Sequence, residues 1–184
     1  MIQMLLLLIL LIFILTFVYA SWRAAPWVPI HSKDVVRLIK LAHIQQGQRV
    51  YDLGCGDARV VCAAARAGAR ATGFEVSLLP YLLAQARIAL QKNKNARVCY
   101  RDFWSADLRD ADLVYFFLMP KIYPKLKEKL ERELKPGAKI IAYVWPFPDW
   151  TPTACDRMPG QPTLYLYTRS YYGHHTMESH LRFS

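Results

Sequence analysis

The chain has 184 residues, enough for one domain, and 54% of them are hydrophobic; a mean hydropathy of +0.09 is high for a soluble domain. The formal net charge of +10 is compatible with plain solubility, with an anionic lipid surface or with nucleic acid as a partner. Four cysteines, Cys55, Cys62, Cys99 and Cys155, form no Cys-x-x-Cys pair and no zinc spacing, which argues against a zinc module and for reduced, buried thiols.

The apolar excess is concentrated at the N-terminus. Met4 to Ala20 is almost wholly apolar, and no charged side chain precedes Arg23. At about 1.5 Å per residue, positions 1 to 22 span roughly 33 Å, enough for a hydrocarbon core of about 30 Å. Residues 1–22 are therefore expected to form one transmembrane helix. A cleaved signal peptide is the rival reading, since Val18-Tyr19-Ala20 resembles a cleavage site. The run carries no Lys or Arg before it and exceeds an h-region of about 7–15 residues, which favours an uncleaved anchor. Arg23, Lys33, Arg37 and Lys40 follow the anchor, so the remainder is expected on the cytoplasmic side. Trp22 and Trp27 suit the interface.

Residues 23–31 read as a Pro-rich linker. Ser32 can cap a helix through about Ala42, with Val35, Val36, Leu38, Ile39 and Leu41 on its apolar face. Strand one is expected at Arg49 to Leu53, followed by a helix from Arg59 with Asp57 at its N-cap. Arg70 to Val76 reads as strand two and Ser77 to Lys92 as a helix that tolerates Pro80 in its first turn. Ala96 to Arg101, Asp112 to Leu118 and Ala138 to Trp145 read as strands three to five, with a charged amphipathic helix at Lys121 to Leu134 before the last. Alternating strands and helices imply an α/β, doubly wound, mostly parallel sheet over residues 32–170. Thr163 to Thr168, turned back on Ala154 to Met158, would add a terminal hairpin and bring the sheet to seven strands. Residues 171–184 form a polar tail, and its His174, His175 and His180 read as solvated, with no metal site expected.

The chemistry points to Val50-Tyr51-Asp52-Leu53-Gly54-Cys55-Gly56-Asp57-Ala58-Arg59. It is a strand ending in an acid, then a glycine turn, then a helix start, at a place where open α/β sheets hold nucleosides. A dinucleotide fingerprint would need glycine at position 59, and a phosphate-cradling loop would need Gly-Lys-Ser/Thr; neither is present. A tight turn with no ligand is the bland alternative. The spacing resembles motif I of class I S-adenosylmethionine methyltransferases, with Ala58 in place of the last glycine. That resemblance implies a Rossmann-like methyltransferase fold, S-adenosylmethionine as cofactor, and Asp52, Gly54, Cys55 and Gly56 in its site. Glu75 ends strand two, 23 residues after Asp52, where an acid about 20 residues on accepts from ribose hydroxyls. Asp102 and Phe103 follow strand three, placed to accept from an adenine amine and to cover its ring.

Longer segments resemble one small family. Leu118-Met119-Pro120, Leu134-Lys135-Pro136-Gly137-Ala138 and Pro146-Phe147-Pro148-Asp149-Trp150 are similar to the membrane-anchored protein-lysine methyltransferases that act on the ATP synthase c subunit and the adenine nucleotide translocase, and to their prokaryotic relatives. The resemblance implies lysine N-methylation of a membrane-associated protein. Trp104, Tyr115, Met119, Pro120, Asp149 and Trp150 are the substrate-side candidates, and Phe103, Trp145 and Phe147 could add to an aromatic mouth. Core packing is the competing reading for each aromatic. Nucleic acid is an unexpected acceptor, because Leu118-Met119-Pro120-Lys121 replaces the Asn/Asp-Pro-Pro-aromatic sequence of amino-methylating nucleic-acid enzymes. A lipid or quinone methyltransferase and a non-enzymatic S-adenosylmethionine-binding membrane protein stay open as alternatives.

Overall fold

The computed structural model describes residues 1–23 and 27–170, apart from the side chains of residue 17 and residues 20–23. The middle of the Pro-rich linker, the expected interfacial role of Trp22 and the histidines of the 171–184 tail lie outside the described residues.

Helix α1 (Ile2–Arg23) opens the chain and α2 (Ser32–Ala42) follows the linker. Then come β1 (Arg49–Leu53), α3 (Arg59–Arg66), β2 (Arg70–Glu75), α4 (Leu78–Gln91), β3 (Ala96–Tyr100), β4 (Leu113–Phe116), α5 (Tyr123–Glu133) and β5 (Lys139–Tyr143). The hairpin β6 (Ala154–Asp156) and β7 (Leu164–Thr168) closes the fold. The seven strands lie in the order β3-β2-β1-β4-β5-β7-β6. β1 to β5 are mutually parallel, and β7 pairs antiparallel with both β5 and β6. This is the expected α/β doubly wound sheet, with strand order reversing between β1 and β4.

Alternation along the strands sorts the core into two faces. Tyr115, Ile141 and Tyr143 are buried with residues of α2 and α3, such as Leu38 and Val61. Phe116, Ile140 and Ala142 are buried with Leu126 and Leu130 of α5. Each fully buried leucine contributes about 1.5–3 kcal/mol.

Three local expectations change. Asp57 does not cap α3: Ala58 holds the N-cap position in the left-handed region (φ 61°), and the Asp57 carboxylate turns to two arginines instead. His31, not Ser32, precedes the first residue of α2. Pro120 opens a single 3-10 turn over Pro120–Ile122, so α5 starts at Tyr123 rather than Lys121.

The expected transmembrane helix is not supported. Among the described residues no helix is long and apolar enough to cross a membrane. The helix itself forms, over Ile2–Arg23.

Candidate functional site

The glycine turn after β1 is tied to β2 by its backbone. Gly54 and Cys55 both donate their N–H groups to the Phe74 carbonyl, at 3.0 and 2.9 Å. Glu75 fastens the next residue: its Oε2 accepts from Gly56 N at 2.9 Å, while Oε1 accepts from Val76 N at 2.8 Å and Ser77 N at 2.7 Å. One carboxylate thus holds the turn, the end of β2 and the start of α4. The approach is close enough that a Cβ on Gly73 would lie 2.5 Å from the Cys55 sulfur, so β2 needs glycine there. Sequence reading missed Gly73, because a lone strand glycine announces a close approach without saying to what.

Beyond the turn lies a cavity bounded by the carboxyl ends of β1, β2 and β4, with Asp102 and Phe103 on one side and Tyr115 and Leu118 on another. The segment Trp27–Ile30 covers it. A Cβ on Gly56 (φ 53°) would meet Trp27 Nε1 at 2.5 Å, and the Arg59 guanidinium donates to the Ile30 carbonyl at 3.0 Å. Arg59 and Arg87 share the Asp57 carboxylate, at 2.9 and 2.7 Å. The latch role of Arg59 was invisible in sequence, since its partner is 29 positions away.

Two buried polar atoms at this cavity have no hydrogen-bond partner among the described residues: Asp52 Oδ1 and the Tyr115 hydroxyl. Asp52 and Tyr115 are cross-strand partners in the β1–β4 register, so they share a face. Burial, then the charges of Glu75 and Asp57, pushes the Asp52 carboxyl well above its ordinary range. Burial and the Asp52 charge raise the Tyr115 phenol too, which keeps it protonated. Burial likewise raises Glu75 against the pull of its three backbone donors, and Cys55 is held as a thiol by burial and by Asp52 and Glu75. The turn end of the cavity is therefore acidic, with its carboxyls buried and crowded together. An orphaned carboxylate oxygen in such a place fits a cationic ligand and repels a phosphate.

Residues 52–154 match the family model of the ANTKMT methyltransferase domain. A protein-lysine N-methyltransferase of Saccharolobus islandicus is 32% identical over 150 residues, covering 77% of this chain and 92% of that protein. The chain belongs to the ANTKMT methyltransferase domain family. The Rattus norvegicus lysine N-methyltransferase of the ATP synthase c subunit is 37% identical over 130 residues, 69% of this chain. The match spans 59% of that longer protein. Among solved structures, an RNA methyltransferase from Salinibacter ruber in complex with S-adenosyl-L-homocysteine superposes with a TM-score of 0.74 and 29% identity, covering 78% of this chain and 95% of that one.

In this member of the ANTKMT domain family the structure brings Asp52, Gly54, Cys55, Gly56, Glu75, Asp102 and Phe103 around one cavity, together with Tyr115. Asp102 also accepts from Trp104 N at 3.0 Å, which starts a 3-10 turn and aims Phe103 inward. The other substrate-side candidates are not among the cavity's lining residues. Trp104 packs on Phe103 with its ring under the Lys125 ammonium, 4.6 Å away. Met119 and Pro120 lead away into the 3-10 turn, and Leu118 takes the lining position. Trp150 is 3% exposed in the α5-side core, 4.4 Å from Phe147 and 5.8 Å from Tyr167 between ring centres. Asp149 is exposed and faces Lys127 at 3.4 Å. Behind Tyr115, sequence reading also missed a buried cluster. Asp34 accepts from Tyr143 at 2.6 Å and from Arg37 at 2.7 Å, and Arg37 reaches on to Asp156 at 2.8 Å. It clamps α2 to β5 and β6, and with them the roof segment that precedes α2.

Proposed function

We propose that this chain is an S-adenosylmethionine-dependent protein-lysine N-methyltransferase whose acceptor is borne on a membrane. The observation that carries the reading is the orphaned pair, Asp52 Oδ1 and the Tyr115 hydroxyl, buried side by side at the glycine turn. S-adenosylmethionine has an ammonium and a sulfonium but no phosphate, which matches a buried acid at the turn. Asp52 would take its ammonium, Glu75 its ribose hydroxyls through the lone pairs left by three backbone donors, and Asp102 with Phe103 its adenine. The Trp27–Ile30 segment roofs this space, with Arg59 donating to the Ile30 carbonyl at 3.0 Å.

When bound, the cofactor supplies an activated methyl group: the amine lone pair forms the new N–C bond as the C–S bond breaks, its electrons stay on sulfur, and the amine loses a proton. The protein's work is to deliver that amine neutral and aligned. Presenting a lysine of pKa about 10.4 uncharged at pH 7 costs roughly 4–5 kcal/mol, which an apolar wall reduces. Phe117 lines the cavity, edge-on to Tyr143 (4.8 Å) and stacked near Trp145 (5.9 Å). The Tyr115 hydroxyl, held neutral, offers an acceptor for one amine N–H and orients the lone pair.

The lysine acceptor rests on the relatives' names. The membrane setting rests on the apolar, uncharged sequence of residues 1–22 and on outward apolar side chains of α1, among them Ile2, Leu8, Leu15 and Tyr19. The catalytic domain, residues 32–170, then lies on the cytoplasmic side by the positive-inside rule. Membranes incubated with the enzyme and methyl-labelled S-adenosylmethionine test the reading. Label is expected on protein lysines; label in extracted lipid or quinone, or on added RNA, would overturn it.

A further inference from the structure

Helix α4 turns its leucines outward. Its buried residues are Pro80 and Ala84, whereas Leu79, Leu82, Leu83 and Leu90 are between 42% and 84% exposed. At 3.6 residues per turn these four, with the exposed Ala86 and Ala89, fall within an arc of about 120°. Gln85 and Arg87 flank the arc and no charge lies inside it. Scattered exposed leucines are ordinary, but a continuous stripe marks an interaction surface.

Two observations say what covers it. The first is its neighbour. Leu78, at the border of the stripe, donates its N–H to Thr16 Oγ1 of α1 at 3.4 Å, so the apolar flank of α1 continues the patch. The second is charge. None of the chain's 14 acidic residues lies in residues 1–33 or 76–101; Arg87, at the edge of the stripe, is paired with Asp57 at 2.7 Å, which leaves Lys92 and Lys94 as the charges at its end. Lys92 and Lys94 stand just beyond Leu90. A second copy of this face would oppose like charges, whereas an anionic bilayer accepts leucines in its acyl boundary and lysines among its head groups.

We propose that α4 is a second, in-plane membrane contact, its Leu79–Leu90 face seated at the surface of an anionic bilayer beside α1. The proposal shares the membrane reading of α1 but is independent of the acceptor. α4 starts at the carboxyl end of β2, next to Glu75, so this contact holds the cavity at a fixed height above the head groups. Lysines close to the membrane surface come within reach, and those on distant soluble domains do not.

The test uses the full chain reconstituted in vesicles, in a Cys155→Ser background. A polarity-sensitive fluorophore is placed at Leu83→Cys, or at Glu128→Cys on exposed α5 as a control. With phosphatidylcholine–phosphatidylglycerol vesicles the α4 label is expected to shift to the blue and the α5 label to stay aqueous. Lys92→Glu with Lys94→Glu should reduce the α4 shift several-fold. An α4 label as aqueous as the α5 label, in protein that floats with the vesicles, would overturn the proposal. So would a blue shift that vanishes as protein is diluted in the same lipid, because the occupant would then be a second copy. S-adenosylmethionine affinity, measured on the same samples, reports separately on the cofactor site.

Discussion

Two turns of this molecule carry acids beside glycines, prolines and aromatics, and they have opposite fates. At the carboxyl end of β1, Asp52 is 2% exposed and one of its oxygens has no partner among the described residues. After β5, Asp149 stands in water opposite Lys127, and its neighbour Trp150 is sunk in the α5-side core. The second turn is held from inside, by Phe147 N donating to the Tyr167 hydroxyl at 2.9 Å and the Tyr123 hydroxyl donating to the Trp145 carbonyl at 3.0 Å. The first turn spends its hydrogen bonds on fixing the backbone and leaves a carboxylate unmatched. A turn packed into the core supports the fold; a buried acid with an unmatched oxygen is a cost that a cationic ligand offsets.

The contrast breaks first at Glu75. Glu75→Ala removes the acceptor for three backbone N–H groups, each costing about 1–3 kcal/mol when left unpaired in a buried site. Stability is expected to fall by at least about 3 kcal/mol, with cofactor binding lost, as read by denaturant unfolding and calorimetry.

Asp52→Asn separates binding from folding. It should weaken S-adenosylmethionine by about 1.5–3 kcal/mol, the scale of a hydrogen bond to a charged group, while making the free protein more stable. The pH dependence has two signs. Because the folded protein holds the Asp52 carboxyl above its ordinary value, folding is favoured when it is protonated. That contribution is lost as pH rises through the raised value. The free protein should therefore gain stability on acidification from neutrality toward the ordinary carboxylate range near 4, and Asp52→Asn should flatten that gain. Affinity for the cationic cofactor should move the other way, falling as Asp52 takes up its proton. Asp112, paired with Lys135, and Glu133, paired with Lys129, have lowered values, so their stabilisation fades only below that range.

Tyr115→Phe deletes an unpartnered buried hydroxyl and nothing else. Stability should hold or rise slightly, cofactor affinity should change little, and methyl transfer should slow by up to about tenfold, the worth of one hydrogen bond. Steady-state kinetics with the cofactor saturating would show it. Asp149→Ala is expected to have the smallest effect of the series. Its exposed pairing with Lys127 is worth less than about 1 kcal/mol, so both unfolding and cofactor titration should match the parent chain.

Most of the fold was legible because its signals are local. Apolar runs at Leu113–Phe116 and Ile140–Tyr143, with Gly68 just ahead of β2 and Pro136-Gly137 just ahead of β5, carry the strand pattern within a few residues of each element. The cavity's acids were legible for the same reason, each lying at the end of a strand. What was not legible depends on distant partners: the Arg59 latch on Ile30, the Asp34–Arg37–Asp156 clamp and the glycine at position 73. Aromatic residues misled most. Trp150 and Phe147 look like a substrate mouth in sequence, but Tyr123 and Tyr167 complete a core around them, and no local pattern separates the two uses. The N-terminal helix was legible as a helix, while its crossing of a membrane was not shown by the described residues.

Calorimetric titration of S-adenosylmethionine into the parent chain, Asp52→Asn and Asp149→Ala at neutral pH compares the two turns most directly. Saturable binding to the parent is expected, with the same affinity for Asp149→Ala and an affinity about tenfold or more lower for Asp52→Asn, from about 1.4 kcal/mol per decade. Equal affinities in all three proteins, with Asp52→Asn folded, would contradict this expectation and place the cofactor somewhere other than this cavity.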